Sequence, residues 1–377
     1  MQATSCIQRA STAARDVKPT PGNHHVAVRV ETDPSRLRGS TLPIEVREVL
    51  VRRMDGRLDR LERREFLGRV FALAAAASIP AACAISPPTK GPPVSSHASR
   101  LILLGTGGGP TPKPNRSAAA QAIVVNGVTY VVDCGDGVAR QMVLAKLKLA
   151  SIRNIFLTHH HSDHNADYGN LVLLAWAADL TKRIDAYGPP PLKEMTRLFL
   201  EMNDYDIRTR IADEGRAPLS ELIAPHEISA GGLVMQDENV RVTAALVDHP
   251  PVVPAFAYRF DCPDRSIVLS GDTRPSENLV KLAQGADILV HEIMYLPALE
   301  TIIASEPNAK TLREHLLASH STAEQVGRTA SEAGVKTLVL SHLVPGGSPF
   351  LKDEIWLNAV RPYFSGNLIV GHDLLEL

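Results

Sequence analysis

Cysteine and net charge are both scarce in this 377-residue sequence. Its four cysteines are scattered with no CxxC spacing, so neither a cysteine-rich zinc site nor a disulfide framework is indicated. The 40 lysines and arginines are balanced by 41 aspartates and glutamates, which leaves a formal net charge of -1. Nucleic-acid-binding chains usually carry a strong basic excess, so the composition argues against a nucleic-acid partner.

Long hydrophobic runs are missing as well. The apolar run from Val70 to Ile79 is much shorter than the roughly 20 residues that a membrane-spanning helix needs. We therefore expect no transmembrane span in the mature protein. The composition is otherwise that of a globular protein with a sizeable core, 44% hydrophobic and 21% charged. The 14 histidines are the unusual feature.

The N-terminal region is predicted to lie outside the folded domain. Residues 1–53 are polar and show no sustained period of 3.6 or 2, which indicates a disordered or untranslated extension, with Met54 as an alternative start. Residues 54–84 have the charged, apolar and small-residue order of a signal peptide. Their "RREFLG" core, which contains Arg63 and Arg64, resembles a twin-arginine export signal.

This signal predicts export to the periplasm, with cleavage near Ala82 to Ala84. Lipidation of Cys83 is the alternative fate of an exported chain. If the segment is instead a helix that is not used as a signal, the protein stays in the cytoplasm. The prolines within residues 85–98 indicate a linker, so the folded domain is predicted to cover residues 99–377.

The folded region alternates strand and helix patterns, which predicts an α/β fold. Asn126 and Gly127 form a turn signal between two β-rich runs and predict a hairpin. Helical periodicity runs from Gly137 to Leu149. Further strands are expected at Val240 to Val247, Phe256 to Phe260, Ser266 to Leu269, Ile288 to His291, Thr337 to Ser341 and Asn367 to Val370.

The stretch "FLTHHHSDHNAD", Phe156 to Asp167, places four histidines and two aspartates behind an apolar strand. His159 and His161 lie two residues apart, whereas Asp163 and His164 follow on the turn and can face a second point. Histidine is the commonest protein metal ligand, so one short motif can serve two metal ions.

Three isolated residues share the same placement at the end of an apolar strand. His249 follows "VTAALVD", Asp272 lies in "IVLSGDT" and His342 follows "TLVLS". A single histidine after a strand is usually an ordinary loop residue. Together with the histidine cluster, these three residues become candidate ligands of the same metal centre.

These motifs resemble the metallo-β-lactamase fold superfamily. "THHHSDH" matches its HxHxDH signature, and the order of the cluster, His249, Asp272 and His342 matches its later metal motifs. "LGTGGGPTPKPNRS", "HEIM" and "HSTAEQVG" look most like the ribonuclease Z and arylsulfatase-like branch. The resemblance implies a four-layer αββα sandwich with a dinuclear site at the strand ends between two sheets.

The resemblance also assigns the ligands. His159, His161 and His249 would hold one zinc ion, Asp163, His164 and His342 would hold the other, and Asp272 would bridge them. Imidazole and carboxylate ligands suit Zn²⁺, with Mn²⁺ or Fe²⁺ as the alternatives. A hydroxide between two such ions would act as the nucleophile in a hydrolysis reaction.

Glu292 in "HEIM" and His320 in "HST" complete the catalytic candidates, together with Asp163. In ribonuclease Z enzymes the equivalent glutamate orients the equivalent histidine, which can donate a proton to the leaving oxygen. The structural alternative is that His320 only precedes a helix N-cap formed by Ser321 or Thr322. We favour the catalytic interpretation, because Glu292 supplies the carboxylate partner that an acid needs.

The leading functional hypothesis is therefore an exported hydrolase of small anionic esters, either aryl sulfates or phosphodiesters. The alternatives are tRNA 3′ processing as in ribonuclease Z, a β-lactamase or lactonase, and a metal-binding domain without activity. An exported chain does not meet precursor tRNA, and "LVPGGSPF" after His342 lacks the pattern of ribonuclease Z. Leu192 to Ile228 is predicted as a helix plus a loop without a basic tip. Members of the superfamily often dimerise, so a homodimer is also a possible oligomeric state of this protein.

Overall fold

The computed structural model describes residues 99–377. The predicted extension (1–53), signal peptide (54–84) and linker (85–98) lie outside the described residues. Within residues 99–377, no helix is long and apolar enough to cross a membrane.

Two mixed β-sheets form the centre of the described region. The first sheet has six strands in the order β1-β2-β3-β4-β5-β6, of which the first three are antiparallel and the rest join in parallel. Its strands are β1 (Arg100–Gly105), β2 (Ala120–Val125), β3 (Val128–Val132), β4 (Ile152–Phe156), β5 (Ile184–Gly188) and β6 (Ile223–Glu227).

The second sheet repeats this plan, with antiparallel hairpins followed by parallel strands. Its order is β13-β12-β11-β10-β9-β8-β7, and β10 to β13 are parallel to one another. Its strands are β7 (Gly232–Gln236), β8 (Arg241–His249), β9 (Val252–Asp261), β10 (Ser266–Leu269), β11 (Ile288–Met294), β12 (Thr337–Val344) and β13 (Asn367–Val370).

Ten α-helices connect or cover these strands in the described region. They are α1 (Val138–Leu144), α2 (Ser162–Asn165), α3 (Tyr168–Ala177), α4 (Leu192–Met202), α5 (Asp204–Glu214), α6 (Glu277–Leu282), α7 (Leu299–Ser305), α8 (Leu312–Ser319), α9 (Ala323–Glu332) and α10 (Asp353–Val360). Short 3-10 helices occur at Leu149–Ser151, Leu219–Glu221, Leu296–Ala298 and Arg361–Tyr363.

Three of the four apolar cores in the described residues show the layers. Because successive side chains of a strand point to opposite faces, Leu101 and Leu103 of β1 enter the core between the sheets, whereas Ile102 and Leu104 pack under helices. The rings of Phe156 and Phe260 meet across the two sheets at 5.2 Å. One outer core includes residues of α1 and α3, and the other includes residues of α6, α9 and α10. The predicted four-layer αββα sandwich is confirmed.

The predicted strands are all present, and the hairpin turns at Asn126 and Gly127, both with positive φ. The helix predicted from Gly137 to Leu149 is shorter, because it ends at Leu144. Lys146 has a φ of 60°, a left-handed conformation that a right-handed helix cannot contain. The chain therefore turns and enters β4 through a 3-10 helix.

The segment Leu192 to Ile228 differs from the predicted helix plus loop. It contains two helices, α4 and α5, followed by a 3-10 helix and strand β6. Charges spaced four residues apart pair on the exposed faces of both helices, as in Arg197 with Glu201 and Arg208 with Asp204. Such pairs stabilise an exposed helix only weakly, because solvent screens their charges. The sequence prediction missed this pattern of opposite charges.

Candidate metal centre

The predicted ligands come together at the carboxyl ends of strands from both sheets. His159 and His161 follow β4, and Asp163 and His164 lie in the short helix α2. His249 ends β8, Asp272 follows β10, and His342 lies near the end of β12. Six of these seven side chains are buried and only His161 is partly exposed, so one buried polar centre forms at the edge of the sandwich.

One group of ligand atoms is built around His161. Its Nδ1 lies 3.1 Å from Nε2 of His159 and 3.1 Å from Nε2 of His249. The carboxylate oxygen Oδ2 of Asp272 lies 3.9 Å and 4.0 Å from the same two Nε2 atoms. These four ligand atoms all lie within 4.8 Å of one another, close enough to hold one metal ion.

A second group lies on the other side of Asp272. Nε2 of His342 is 3.2 Å from Oδ2 of Asp163, and Nε2 of His164 is 3.8 Å from the same oxygen. Oδ2 of Asp272 is 3.3 Å from Nε2 of His164 and 3.3 Å from Nε2 of His342. Asp272 therefore lies between the two groups, which is the position that a bridging carboxylate requires.

Unsatisfied polar atoms test whether these residues fit a metal. Nε2 of His164 and Oδ1 of Asp272 are buried and make no hydrogen bond within the described part of the chain. A buried polar atom without a partner is costly, and a cation at the centre of the cluster would remove that cost. The donor set of imidazoles and carboxylates suits a divalent transition metal. The residues present therefore fit a metal centre.

The charge states also favour metal binding. Burial and the neighbouring histidines hold the pKa of His159 well below its usual value, and burial together with His249 lowers the pKa of His161 to about 4. Both rings are therefore neutral at neutral pH, which is the form that binds metals. Burial opposes ionisation of Asp272, but the nearby rings of His342 and His164 outweigh it and hold its pKa well below the usual range.

Further contacts orient the ligands. The Nδ1 proton of His164 is donated to Asp133 at 2.8 Å, and that of His249 is donated to the carbonyl oxygen of Ser319 at 2.9 Å. In each ring, Nε2 is thereby left to face the metal centre. The backbone N-H and hydroxyl of Thr158 also donate to Asp133, so this carboxylate is satisfied at both oxygens.

Replacing Asp133 with asparagine is expected to weaken metal binding about 10- to 100-fold. The amide has one acceptor oxygen and no charge, so it cannot serve both His164, which donates to Oδ2, and the backbone N-H of Thr158, which donates to Oδ1. The affinity is measured by competition against a chromophoric chelator. Asp136→Asn is the matched control, since Asp136 is exposed and three residues away. Equal affinities for both variants would contradict the role of Asp133.

The glycine-rich turn after β1 packs directly against the centre. The N-H of Gly109 donates to Oδ2 of Asp163 at 2.9 Å. A Cβ atom on Gly108 would lie 2.7 Å from Nδ1 of His342. A side chain at position 108 would therefore collide with a candidate ligand, so the turn needs glycine there to approach this closely.

His320 and Glu292 lie beside the ligands and contact each other. Nδ1 of His320 is 3.2 Å from Oε1 of Glu292, and the backbone N-H groups of Thr273 and Ser321 donate to the same oxygen. Burial opposes the charged imidazolium, but the Glu292 carboxylate outweighs it and raises the pKa of His320 to about 9. The ring centroid of His320 is 5.8 Å from that of His342.

One of the two N-cap candidates after His320 is confirmed. The helix N-cap is Thr322, which forms a capping box with Gln325 at the start of α9. His320 takes no part in this cap, and its hydrogen bond to Glu292 is separate from it. The geometry is compatible with the acid role that the sequence suggested.

Two polar residues near the centre were not singled out in the sequence. His315 lies on α8, and its ring centroid is 5.9 Å from that of His161 and 6.0 Å from that of His249. Nζ of Lys113 donates to the carbonyl oxygens of Gly109 and Thr111. Neither residue ends a strand, so a search for ligands at strand ends could not find them.

The family is decided by a comparison with known domains. Residues 129–343 match the model of a β-lactamase superfamily domain, and this range includes every candidate ligand. The chain belongs to the metallo-β-lactamase superfamily. Membership confirms the fold that the motifs implied, and it makes the protein a metal-dependent hydrolase.

The relatives of this superfamily member place it near ribonuclease Z. It is 33% identical to a ribonuclease Z of Mycobacterium bovis over 277 residues, which is 73% of this chain and 96% of the relative. It is 34% identical to a ribonuclease Z of Mycobacterium avium over 279 residues, again 73% and 96% of the two chains. The predicted ribonuclease Z and arylsulfatase-like branch is thus supported on its ribonuclease Z side.

Solved structures confirm the architecture of this superfamily member. The short form of human tRNase Z has a TM-score of 0.55 at 22% identity, and the YhfI protein of Bacillus subtilis has 0.55 at 17%. Each match covers 74% of this chain and 98% of the other chain. At these identities the likeness concerns the fold alone.

Proposed function

We propose that this hydrolase cleaves phosphodiester bonds at a centre of two divalent cations, with Zn²⁺ as the preferred ion. The observation that carries the proposal is the position of Asp272, whose Oδ2 lies within 4.0 Å of ligand atoms from both groups. The relatives named ribonuclease Z support a phosphodiester rather than an aryl sulfate as the substrate.

Each group of candidate ligands would hold one cation. His159, His161 and His249 would hold one cation, Asp163, His164 and His342 the other, and Asp272 would contact both. When bound, the two cations would polarise the ester and lower the pKa of a water molecule so that it can attack at neutral pH. Asp133 and Ser319 keep the rings of His164 and His249 in the orientation that this requires.

His320 would protonate the leaving oxygen. Its Nδ1 faces Glu292, so the Nε2 proton is the one available to the substrate. The Glu292 carboxylate stabilises the charged imidazolium, and the three donors on its Oε1 hold it in place. A positioned acid of this kind assists departure of a basic leaving group.

The two candidate natural substrates are RNA and a small phosphodiester. The relatives favour RNA processing of the ribonuclease Z type, which the sequence ranked second, over a small ester. The helices α4 and α5 favour the small ester, because Arg197, Arg208 and Arg210 are already paired with carboxylates on their own helices. A surface that binds RNA needs cationic groups that are free to contact phosphates.

A parallel assay of the metallated full chain tests the proposal. The substrates are bis-p-nitrophenyl phosphate, p-nitrophenyl sulfate, a cephalosporin and a precursor tRNA. We expect turnover of the phosphodiester and none of the sulfate or the cephalosporin. Cleavage of the tRNA at its 3′ end would identify RNA as the natural substrate. Turnover of the sulfate alone would refute the proposed phosphodiester specificity.

The compartment is a further part of the proposal. Export through the signal at residues 54–84 would separate the enzyme from precursor tRNA and favour a small phosphodiester. Fractionation of cells that express the full chain, beside a variant with Arg63→Lys and Arg64→Lys, measures this directly. Periplasmic enzyme that becomes cytoplasmic in the variant is the expected result. Equal cytoplasmic location of both chains would reject export and favour RNA.

A further inference from the structure

Helix α8 contributes to the metal centre in three ways. The carbonyl oxygen of its last residue, Ser319, accepts the proton of the candidate ligand His249. The hydroxyl of Ser319 donates to the carbonyl oxygen of Pro250, which fastens the helix to the turn after β8. The residue that follows the helix is His320. A further polar side chain of this helix near the centre, His315, has no role in the mechanism above.

The ring of His315 is held among three rings of the centre. Its centroid is 5.7 Å from that of His320, 5.9 Å from that of His161 and 6.0 Å from that of His249. The side chain is only half-buried, so one edge of it is open to solvent. His315 thus lies between one group of ligands and the candidate acid, and its ring is accessible to solvent.

His315 is not itself placed as a metal ligand. None of the three groups of ligand atoms that lie within 4.8 Å of one another in the described residues includes it. Its Nδ1 is 3.4 Å from Oγ of Ser319, one turn further along the helix, which is longer than an ordinary hydrogen bond and does not hold the ring proton on Nδ1. Among the described residues its Nε2 makes no hydrogen bond, so this atom is free to contact a bound molecule.

We propose that His315 carries its ring proton on Nε2 and binds the substrate by donating a hydrogen bond from Nε2 to an oxygen of the phosphoryl group that is being cleaved. This inference rests on the proposed phosphodiesterase function. The reacting group must lie between the cations and the acid, since it contacts both. His315 borders that space on the side of His161, His249 and His320. It is therefore a specificity-determining residue for the anionic group.

Binding of inorganic phosphate to the metallated full chain tests this proposal without any turnover. Titration calorimetry compares the natural chain with His315→Ala, His315→Gln and Glu314→Gln. We expect about tenfold weaker binding in His315→Ala, because a hydrogen bond to a charged group is lost. Glutamine carries an amide N-H near the position of Nε2, so His315→Gln should restore most of the affinity. Glu314 is exposed on the same helix, and its variant should bind as the natural chain does.

Kinetics and metal content complete the experiment. The KM for bis-p-nitrophenyl phosphate should rise about tenfold in His315→Ala, with kcat changed much less and with the metal content of the natural chain. Unchanged phosphate binding would overturn the proposal, even if the enzyme is a phosphodiesterase. A loss of metal in His315→Ala would overturn it too, since it would make the residue structural. If His315→Ala binds phosphate more weakly but the natural chain hydrolyses no phosphodiester, the contact between His315 and the anion is supported and the proposed phosphodiesterase function is rejected.

Discussion

Asp272→Ala is expected to lower phosphodiesterase activity more than about a thousandfold, because several kcal/mol of transition-state stabilisation by the metal centre are lost and each 1.36 kcal/mol is a factor of ten. Oδ2 of Asp272 lies 3.3 Å from Nε2 of both His164 and His342. It lies 3.9 Å and 4.0 Å from the Nε2 atoms of His159 and His249 in the other group. One substitution therefore removes a candidate ligand atom from both groups. Metal content, measured on the purified protein by elemental analysis, should fall with the activity.

A control separates this result from a general loss of structure. Asp213 is an exposed aspartate on α5, and Asp213→Ala should keep both the metal and the activity. Asp272→Asn retains the size of the side chain but not its charge, so it should bind metal more weakly than the natural chain while remaining folded by circular dichroism. Full metal content and activity in Asp272→Ala would refute a bridging role for this carboxylate.

His320→Gln is expected to slow hydrolysis of phosphodiesters with basic leaving groups about 100- to 10,000-fold. The effect should shrink as the leaving group becomes less basic, because p-nitrophenolate departs without much help from an acid. The measurement is kcat for a series of aryl phosphodiesters. Glu292→Gln should show the same trend with smaller losses, since the amide still contacts His320 but no longer stabilises its charge.

The dependence on the leaving group is what distinguishes an acid from a structural residue. Thr322→Ala is the matched control, because it removes the cap of α9 two residues away and should cost about 1 kcal/mol of stability with little change in kcat. If His320→Gln slowed every substrate by the same factor, the residue would only support the fold. An unchanged kcat for all substrates would exclude both roles.

The charge of the chain and the names of its relatives indicate different substrates. The balanced charge of the chain argues against a nucleic-acid partner, and the paired arginines of α4 and α5 agree with it. The relatives named ribonuclease Z argue for RNA. A net charge averages over the whole surface, whereas RNA binding depends on a local patch, and the parallel assay of phosphodiester and precursor tRNA distinguishes the two substrates.

Most of the fold and the ligand set followed from the sequence alone. Apolar strands are recognisable by their residues, and the candidate ligands lie just after one of these strands or near its end. Asp272 and His342 could therefore be named as candidates from the sequence. The hairpin at Asn126 and Gly127 could also be predicted, since both residues adopt positive φ readily. The motif spacing then indicated the superfamily.

The tertiary structure decided the contacts between segments that lie far apart in the chain. Asp163 meets His342 across 179 positions, and Ser319 reaches His249 across 70. Local sequence patterns do not predict such pairs. Each pair depends on how the two sheets stack and on which helix covers their edge. For the same reason His315 remained hidden, since only the packing of α8 against the strand ends brings its ring to the metal centre.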